Sequence, residues 1–222
     1  MRFIRSIRRI KPLNPNGRII VYMHGYGGYS WMAARQLSVL ERAGYEILAL
    51  DFVDILRAHD PQDLVSLMDE VAQLFQDEGL IHPGTLIVGI SLGGLVGYNL
   101  LRRYPELDKL LVITGGDISR LPWKRTLRKR WKLTRSELAR RWEGVNMYTP
   151  VGQIRDKRMI MFLPLRDKLI DPEEVTAEIA KQGQLNDIKL IRTPGGHFQT
   201  IISQTVISPA KILPLLRELE QD

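Results

Sequence analysis

The chain's most direct suggestion of chemistry is a serine between two glycines, Gly89-Ile90-Ser91-Leu92-Gly93. The spacing is G-x-S-x-G. A β-branched apolar run, Thr85 to Ile90, leads into it, and a helical pattern, Leu92 to Arg103, leads out. A sharp strand-to-helix turn crowds its flanking positions, so glycine suits them, and it leaves the serine hydroxyl at the sheet edge beside a helix N-terminus. A plain glycine turn with Ser91 as helix N-cap fits the same residues. Chemistry at Ser91 needs more than the serine, because a hydroxyl is a weak nucleophile at neutral pH. It requires a histidine to take its proton and a carboxylate to orient that histidine.

Both partners are available downstream. Pro164-Leu165-Arg166-Asp167-Lys168 follows a strand-like run, Arg158 to Leu163, and places Asp167 in a strand-to-helix loop. Pro194-Gly195-Gly196-His197-Phe198 follows Ile188 to Ile191 and places His197 in the next such loop. Of the four histidines, His59 and His82 precede a helix and a strand and so lie at the wrong ends, while His24 belongs to a different strand end. The orienting acid has competitors. Asp171, ahead of Pro172, reads better as a helix N-cap. Asp117, after the run Lys109 to Thr114, stays open as a second candidate, and residue order favours Asp167. The bland readings are a solvated Asp167 paired with Arg166 or Lys168, and a loop histidine at His197.

A fourth group is His24-Gly25-Tyr26-Gly27-Gly28, at the end of the run Arg18 to Met23. Its glycines let backbone N–H groups approach a substrate oxygen. An oxyanion hole needs two such donors, and the expected pair is the N–H of Leu92 with that of Tyr26. His24 has a structural alternative, bonding the loop itself.

Short strand-like runs alternate with helical patterns along the chain, the signature of a parallel α/β sheet. Strands are expected at Arg18 to Met23, Tyr45 to Phe52, Thr85 to Ile90, Lys109 to Thr114, Arg158 to Leu163 and Ile188 to Ile191. Helices are expected at Trp31 to Ala43, ended by Gly44, at Gln62 to Glu78, entered through Asp60-Pro61, and at Leu92 to Arg103. Two more are expected from Asp171-Pro172 and near Ser208-Pro209. A parallel sheet collects its strand C-termini along one edge, where sites gather.

Composition limits the alternatives. The 222 residues suit one domain, 1–222, and the 44% apolar and 26% charged content is that of a globular protein. With no cysteine, thiolate zinc sites, disulfides and a cysteine nucleophile are excluded. No His/Asp/Glu spacing resembles a metal ligand set, and no phosphate-binding glycine loop carries its lysine. No membrane-spanning apolar run occurs, which points to a soluble, cytoplasmic protein.

These four groups, in this order from Arg18 to about Glu220, resemble the α/β-hydrolases. The resemblance implies an α/β-hydrolase fold with Ser91 as nucleophile, His197 as base and acid, Asp167 as orienting carboxylate, and Tyr26 and Leu92 as oxyanion donors. It implies ester cleavage through an acyl-enzyme, with no cofactor and no metal. A lipase or acyl thioesterase would carry the same residues, and a non-catalytic scaffold is the alternative of a different class. One departure stands out. Too few residues precede Arg18 for the family's two leading antiparallel strands, which are therefore missing or reduced to something like Phe3 to Ile10.

The net charge of +7 is uneven. Residues 1–12 carry five basic residues and no acid, and 118–145 carry ten against two, so the rest is mildly acidic. The second stretch lies in an expected cap insertion at about 117–150 and holds three of the four tryptophans. Trp123, Leu127 and Trp131 recur at four-residue steps, as do Leu138 and Trp142, giving apolar helical stripes beside Arg and Lys. A cap helix with solvated charges is the preferred reading. Contact with an anionic membrane is the sharper one, and no nucleic-acid recognition motif is present. The N-terminal arm reads as an edge strand or surface arm, with an organelle presequence as the alternative.

Overall fold

The computed structural model describes residues 2–25, 30–52, 62–115, 134, 136, 137, 140, 154–183 and 186–221. Its strands are β1 (Ile4–Ile10), β2 (Ile19–Met23), β3 (Glu46–Phe52), β4 (Thr85–Ile90), β5 (Lys109–Ile113), β6 (Arg158–Pro164) and β7 (Asp187–Thr193). They form one sheet in the order β1-β3-β2-β4-β5-β6-β7. Only β1 runs antiparallel, against β3. One leading strand therefore precedes β2, at the position expected for a reduced edge.

Apolar side chains sort by the two-residue period of a strand. Val21, Met23, Ile87, Leu110, Val112, Met159 and Met161 face one side, where they meet α2 (Asp63–Asp77), α3 (Leu92–Arg103) and α4 (Pro172–Gln182). Ile20, Tyr22, Leu86, Val88, Leu111, Ile113 and Ile160 face the other, covered by α1 (Ser30–Arg42), α5 (His197–Ile202) and α6 (Ile212–Glu220). Every residue of β4 and β5 is buried, as a central parallel strand covered on both faces requires.

Local signals explain several boundaries. Gly44 closes α1 at φ +91°, a conformation that costs glycine little. Asp171 caps α4, its carboxylate accepting from the N–H groups of Glu173 and Glu174, with Pro172 in the first turn. Besides shifts of one or two residues at other element ends, three departures from the sequence expectation stand out. β5 stops at Ile113, because Thr114 turns to φ +59°. His197 lies in a short helix rather than a loop, since the Gln199 side chain accepts from the Gly196 N–H and closes the first turn. The last α-helix starts at Ile212, after a π turn at Ser203–Ile207 and a 3-10 turn at Pro209–Lys211.

β1 is pinned at its start by one side chain. The Glu70 carboxylate on α2 accepts from the N–H groups of Arg2, Phe3 and Ile4 at 2.8–3.1 Å. Burial pushes the Glu70 carboxyl up, but the amides of Ile4, Arg2 and Phe3, together with the N-terminal charge, hold it below the ordinary 4.5. A carboxyl lowered by folding contributes stability that is complete above its unfolded value and is lost as pH falls through the folded one. Glu70→Gln is therefore expected to lower the melting temperature at pH 7 by about 2–4 °C, the effect of about 1 kcal/mol in a chain this size. That gap should narrow as pH falls below the ordinary 4.5 and through the lowered folded value, where the wild-type carboxylate takes up its proton. Melts from pH 7 to 3 check it, and a gap that does not change with pH would show that the charge is not what holds β1.

Candidate active site

The chain leaves β2 outward to β3 and later returns to pair β4 with β2, so strand order reverses between those two strands. A crevice opens at such a point beyond the strand C-termini. Met23 of β2 stands opposite Gly89 of β4, which sets His24 and Gly25 against Ile90 and Ser91. The approach is close enough that a Cβ on Gly25 would lie 2.9 Å from the Ser91 Cβ.

Ser91 links β4 to α3 at φ +51°, ψ −110°, a conformation that costs an L-residue on the order of 1–3 kcal/mol. The glycines around it are explained by contact. A Cβ on Gly89 would strike the backbone of Gly93 and Gly94, and one on Gly93 would strike the Met23 carbonyl. The Ser91 N–H donates to the Ile113 carbonyl at 3.0 Å, which ties the turn to β5.

The two other candidates arrive from β6 and β7. Asp167 follows β6 in the loop that leads to α4, and His197 opens α5 after β7. The loops are joined by the Arg166 N–H, which donates to the Gly195 carbonyl at 3.1 Å. His197 Nδ1 lies 2.8 Å from Asp167 Oδ2, and His197 Nε2 lies 2.9 Å from Ser91 Oγ. Asp167 Oδ1 accepts from the N–H groups of Leu169 at 2.7 Å and Ile170 at 3.2 Å, and its side chain is fully buried. With Nδ1–H donated to Asp167, the Nε2 lone pair faces the Ser91 hydroxyl. That arrangement can move the hydroxyl proton onto a fixed imidazole.

His24 does other work at the same edge. Its Nδ1 donates to the Gly25 carbonyl at 2.7 Å, and its Nε2 lies 2.6 Å from Asp51 Oδ1 at the end of β3. It thus ties the ends of β2 and β3 together. His82 lies before β4, at the opposite edge, where Nδ1 accepts from the Gly84 N–H. Leu92 opens α3, so its N–H is among those that a helix leaves without an internal partner. Tyr26, Asp117 and His59 lie outside the described residues, as do Trp123, Leu127, Trp131, Leu138 and Trp142 of the basic insertion. Within that insertion, Thr134 and Glu137 cap each other reciprocally, as at a helix start.

Sequence reasoning missed two residues. Asp51 carries a visible signal, a carboxylate ending the apolar run Ile47 to Leu50 at the edge where sites collect. Thr114 carries none, since it reads as the last residue of a strand. It is wholly buried, and its Oγ1 sits 3.4 Å from His197 Nε2.

The chain was compared with known proteins. No curated protein matches it. Solved structures do. An esterase of Pyrococcus furiosus is 17% identical, with 96% of this chain and 91% of that one covered and a TM-score of 0.66. An α/β hydrolase from a sediment metagenome of the Mar Chica lagoon, Morocco, is 17% identical, with 96% and 94% covered and a TM-score of 0.65. Thermogutta terrifontis esterase 2, in a form phosphonylated by sarin, is 14% identical, with 94% and 89% covered and a TM-score of 0.63. At these identities the likeness is one of fold. The family model described as "Alpha/beta hydrolase family" matches residues 20–204, from β2 to the π turn after His197, and on that match the chain belongs to the alpha/beta hydrolase family.

Proposed function

We propose that the chain is a serine hydrolase that cleaves a carboxylic ester through an acyl-enzyme. The observation that carries this reading is the continuous path Ser91 Oγ, His197 Nε2, His197 Nδ1, Asp167 Oδ2, with contacts of 2.9 and 2.8 Å. Ser91 attacks the carbonyl while His197 takes its proton and passes it to the leaving alcohol. Asp167 holds the imidazole tautomer, and water repeats the sequence to release the acid. Leu92 and Tyr26 supply the N–H groups that receive the tetrahedral oxygen. The esterase neighbours favour an ester over other acyl compounds. The exposed apolar side chains of Leu165 and Phe198, beside Asp167 and His197, suit a substrate with an apolar portion. No cofactor takes part in these steps.

A lipase or an acyl thioesterase would use the same groups, and an idle scaffold would keep them without turnover. A fluorophosphonate probe separates the last case. One adduct by intact mass, mapped to Ser91, is expected, and an unlabelled chain would overturn the serine reading. That one similar esterase is phosphonylated by sarin makes a phosphonate a suitable probe. Nitrophenyl esters of increasing acyl length, run beside acyl-CoA thioesters, then sort the substrate classes. We read the chain as one cytoplasmic catalytic domain, with the insertion at about 117–150 forming its cap. Peripheral membrane contact through that basic cap is tested by co-sedimentation with anionic liposomes at low salt, where absence of binding removes it.

A further inference from the structure

We propose that the Thr114 hydroxyl is a fourth catalytic group, the acceptor that holds the Nε2–H of the His197 imidazolium after Ser91 has given up its proton. The inference rests on the serine-hydrolase reading and adds a residue to it.

Two independent features single out Thr114. The first is its backbone. Register pairs Ile90 with Ile113, so Thr114 follows β5 directly beside Ser91, and its N–H donates to the Phe162 carbonyl of β6 at 3.3 Å. There it adopts φ +59°, which β-branched residues disfavour strongly. Glycine takes that conformation freely, and Gly115 and Gly116 stand immediately after it, yet the strained position carries threonine. The second is its side chain. Thr114 has no exposed surface, and the one polar atom within hydrogen-bonding reach of its hydroxyl among the described residues is His197 Nε2, at 3.4 Å. Buried hydroxyls are ordinarily well satisfied, so one aimed at a single titrating atom calls for a reason.

The reaction supplies that reason. In the resting site Nε2 has one lone pair, and Ser91 O–H uses it. In acylation the Oγ–H bond breaks, the proton goes to Nε2 and Oγ bonds the acyl carbon. Nε2 is now a donor, and Oγ, turning into an ester oxygen, is a poor acceptor. Until the leaving alkoxide takes the proton, Nε2–H needs another oxygen within reach. Thr114 Oγ1 is that oxygen, and it keeps its own proton throughout. Water deprotonated in the second half creates the same imidazolium and the same need.

The test uses Thr114→Val, which keeps the β-branched shape, Thr114→Ser, which keeps the hydroxyl, and Thr114→Gly, which relieves the backbone. Around the ring, Asp167 is the one ionisable side chain paired with it among the described residues, and it is unchanged in all three. Thr114→Val should slow acylation by the fluorophosphonate about tenfold, the effect of one modest hydrogen bond. The acidic limb of its kcat/KM profile should move to lower pH, because losing an acceptor disfavours the imidazolium. Thr114→Ser should restore both. Thr114→Gly should share the kinetic deficit while melting no lower than wild type. Recovery of full activity in Thr114→Gly would make the role one of backbone shape and overturn the proposal. So would a limb that stays in place or moves to higher pH in Thr114→Val. NMR titration of the His197 ring reads the same displacement without substrate. A wild-type chain that resists the probe would therefore count against the serine reading, while the ring titration alone decides Thr114.

Discussion

Ser91→Ala and His197→Ala are each expected to lower kcat for ester hydrolysis by on the order of 10⁶, about 8 kcal/mol of transition-state stabilisation. The double variant should lose no more than either single one. The reason is that a hydroxyl without its base is an ordinary alcohol, and a base without its hydroxyl has no productive proton to take. In the proposed scheme the 2.9 Å contact between Nε2 and Oγ makes one catalytic unit of the two, so removing either removes the unit. A residual rate of about 10³–10⁴ over water should persist, supplied by substrate binding and the N–H donors. Rates are measured beside circular dichroism and melting curves, because His197 is buried and its loss leaves Asp167 Oδ2 without a partner. A double variant that loses the product of the two single effects would mean that Ser91 and His197 act independently, which the acyl-enzyme scheme does not permit.

The parts of this arrangement legible in the sequence are those fixed by local chemistry. Central strands such as β4 show themselves as continuous β-branched runs because both faces are buried. Gly89 and Gly93 are legible because a tight turn excludes side chains, and the structure gives each exclusion a named backbone neighbour. Asp171 is legible as a cap because Pro172 follows it. The meeting of Ser91 with His197 spans 106 residues, and residue order supports it only through the rule that a parallel sheet gathers its strand ends on one edge. What stays hidden depends on neighbours distant in sequence. The hold of Glu70 on the first residues crosses more than sixty positions. The left-handed turn at Thr114 is hidden because the adjacent glycines are where that conformation is expected. The helix that starts at His197 is hidden because a single Gln199 side chain closes it, which two glycines in sequence disguise as a loop.

Asp167→Asn is expected to lower kcat by about 10⁴ while leaving the fold intact, and the cause is the direction in which the new amide must point. The Leu169 and Ile170 N–H groups both donate to Oδ1, so an asparagine is held with its oxygen there and its NH₂ toward His197. An NH₂ donates, and Nδ1 would have to accept from it. The ring proton then moves to Nε2, which meets the Ser91 hydroxyl as a donor and cannot take its proton. Single-turnover labelling should be slowed to the same degree as turnover, because the defect lies in the first proton transfer. Asp117→Asn, measured in parallel, should leave both unchanged. The opposite pattern, normal turnover in Asp167→Asn with loss in Asp117→Asn, would transfer the orienting role to the residue after β5. It would leave the contact of 2.8 Å between Asp167 and His197 as a structural tie between the loop after β6 and the first residue of α5.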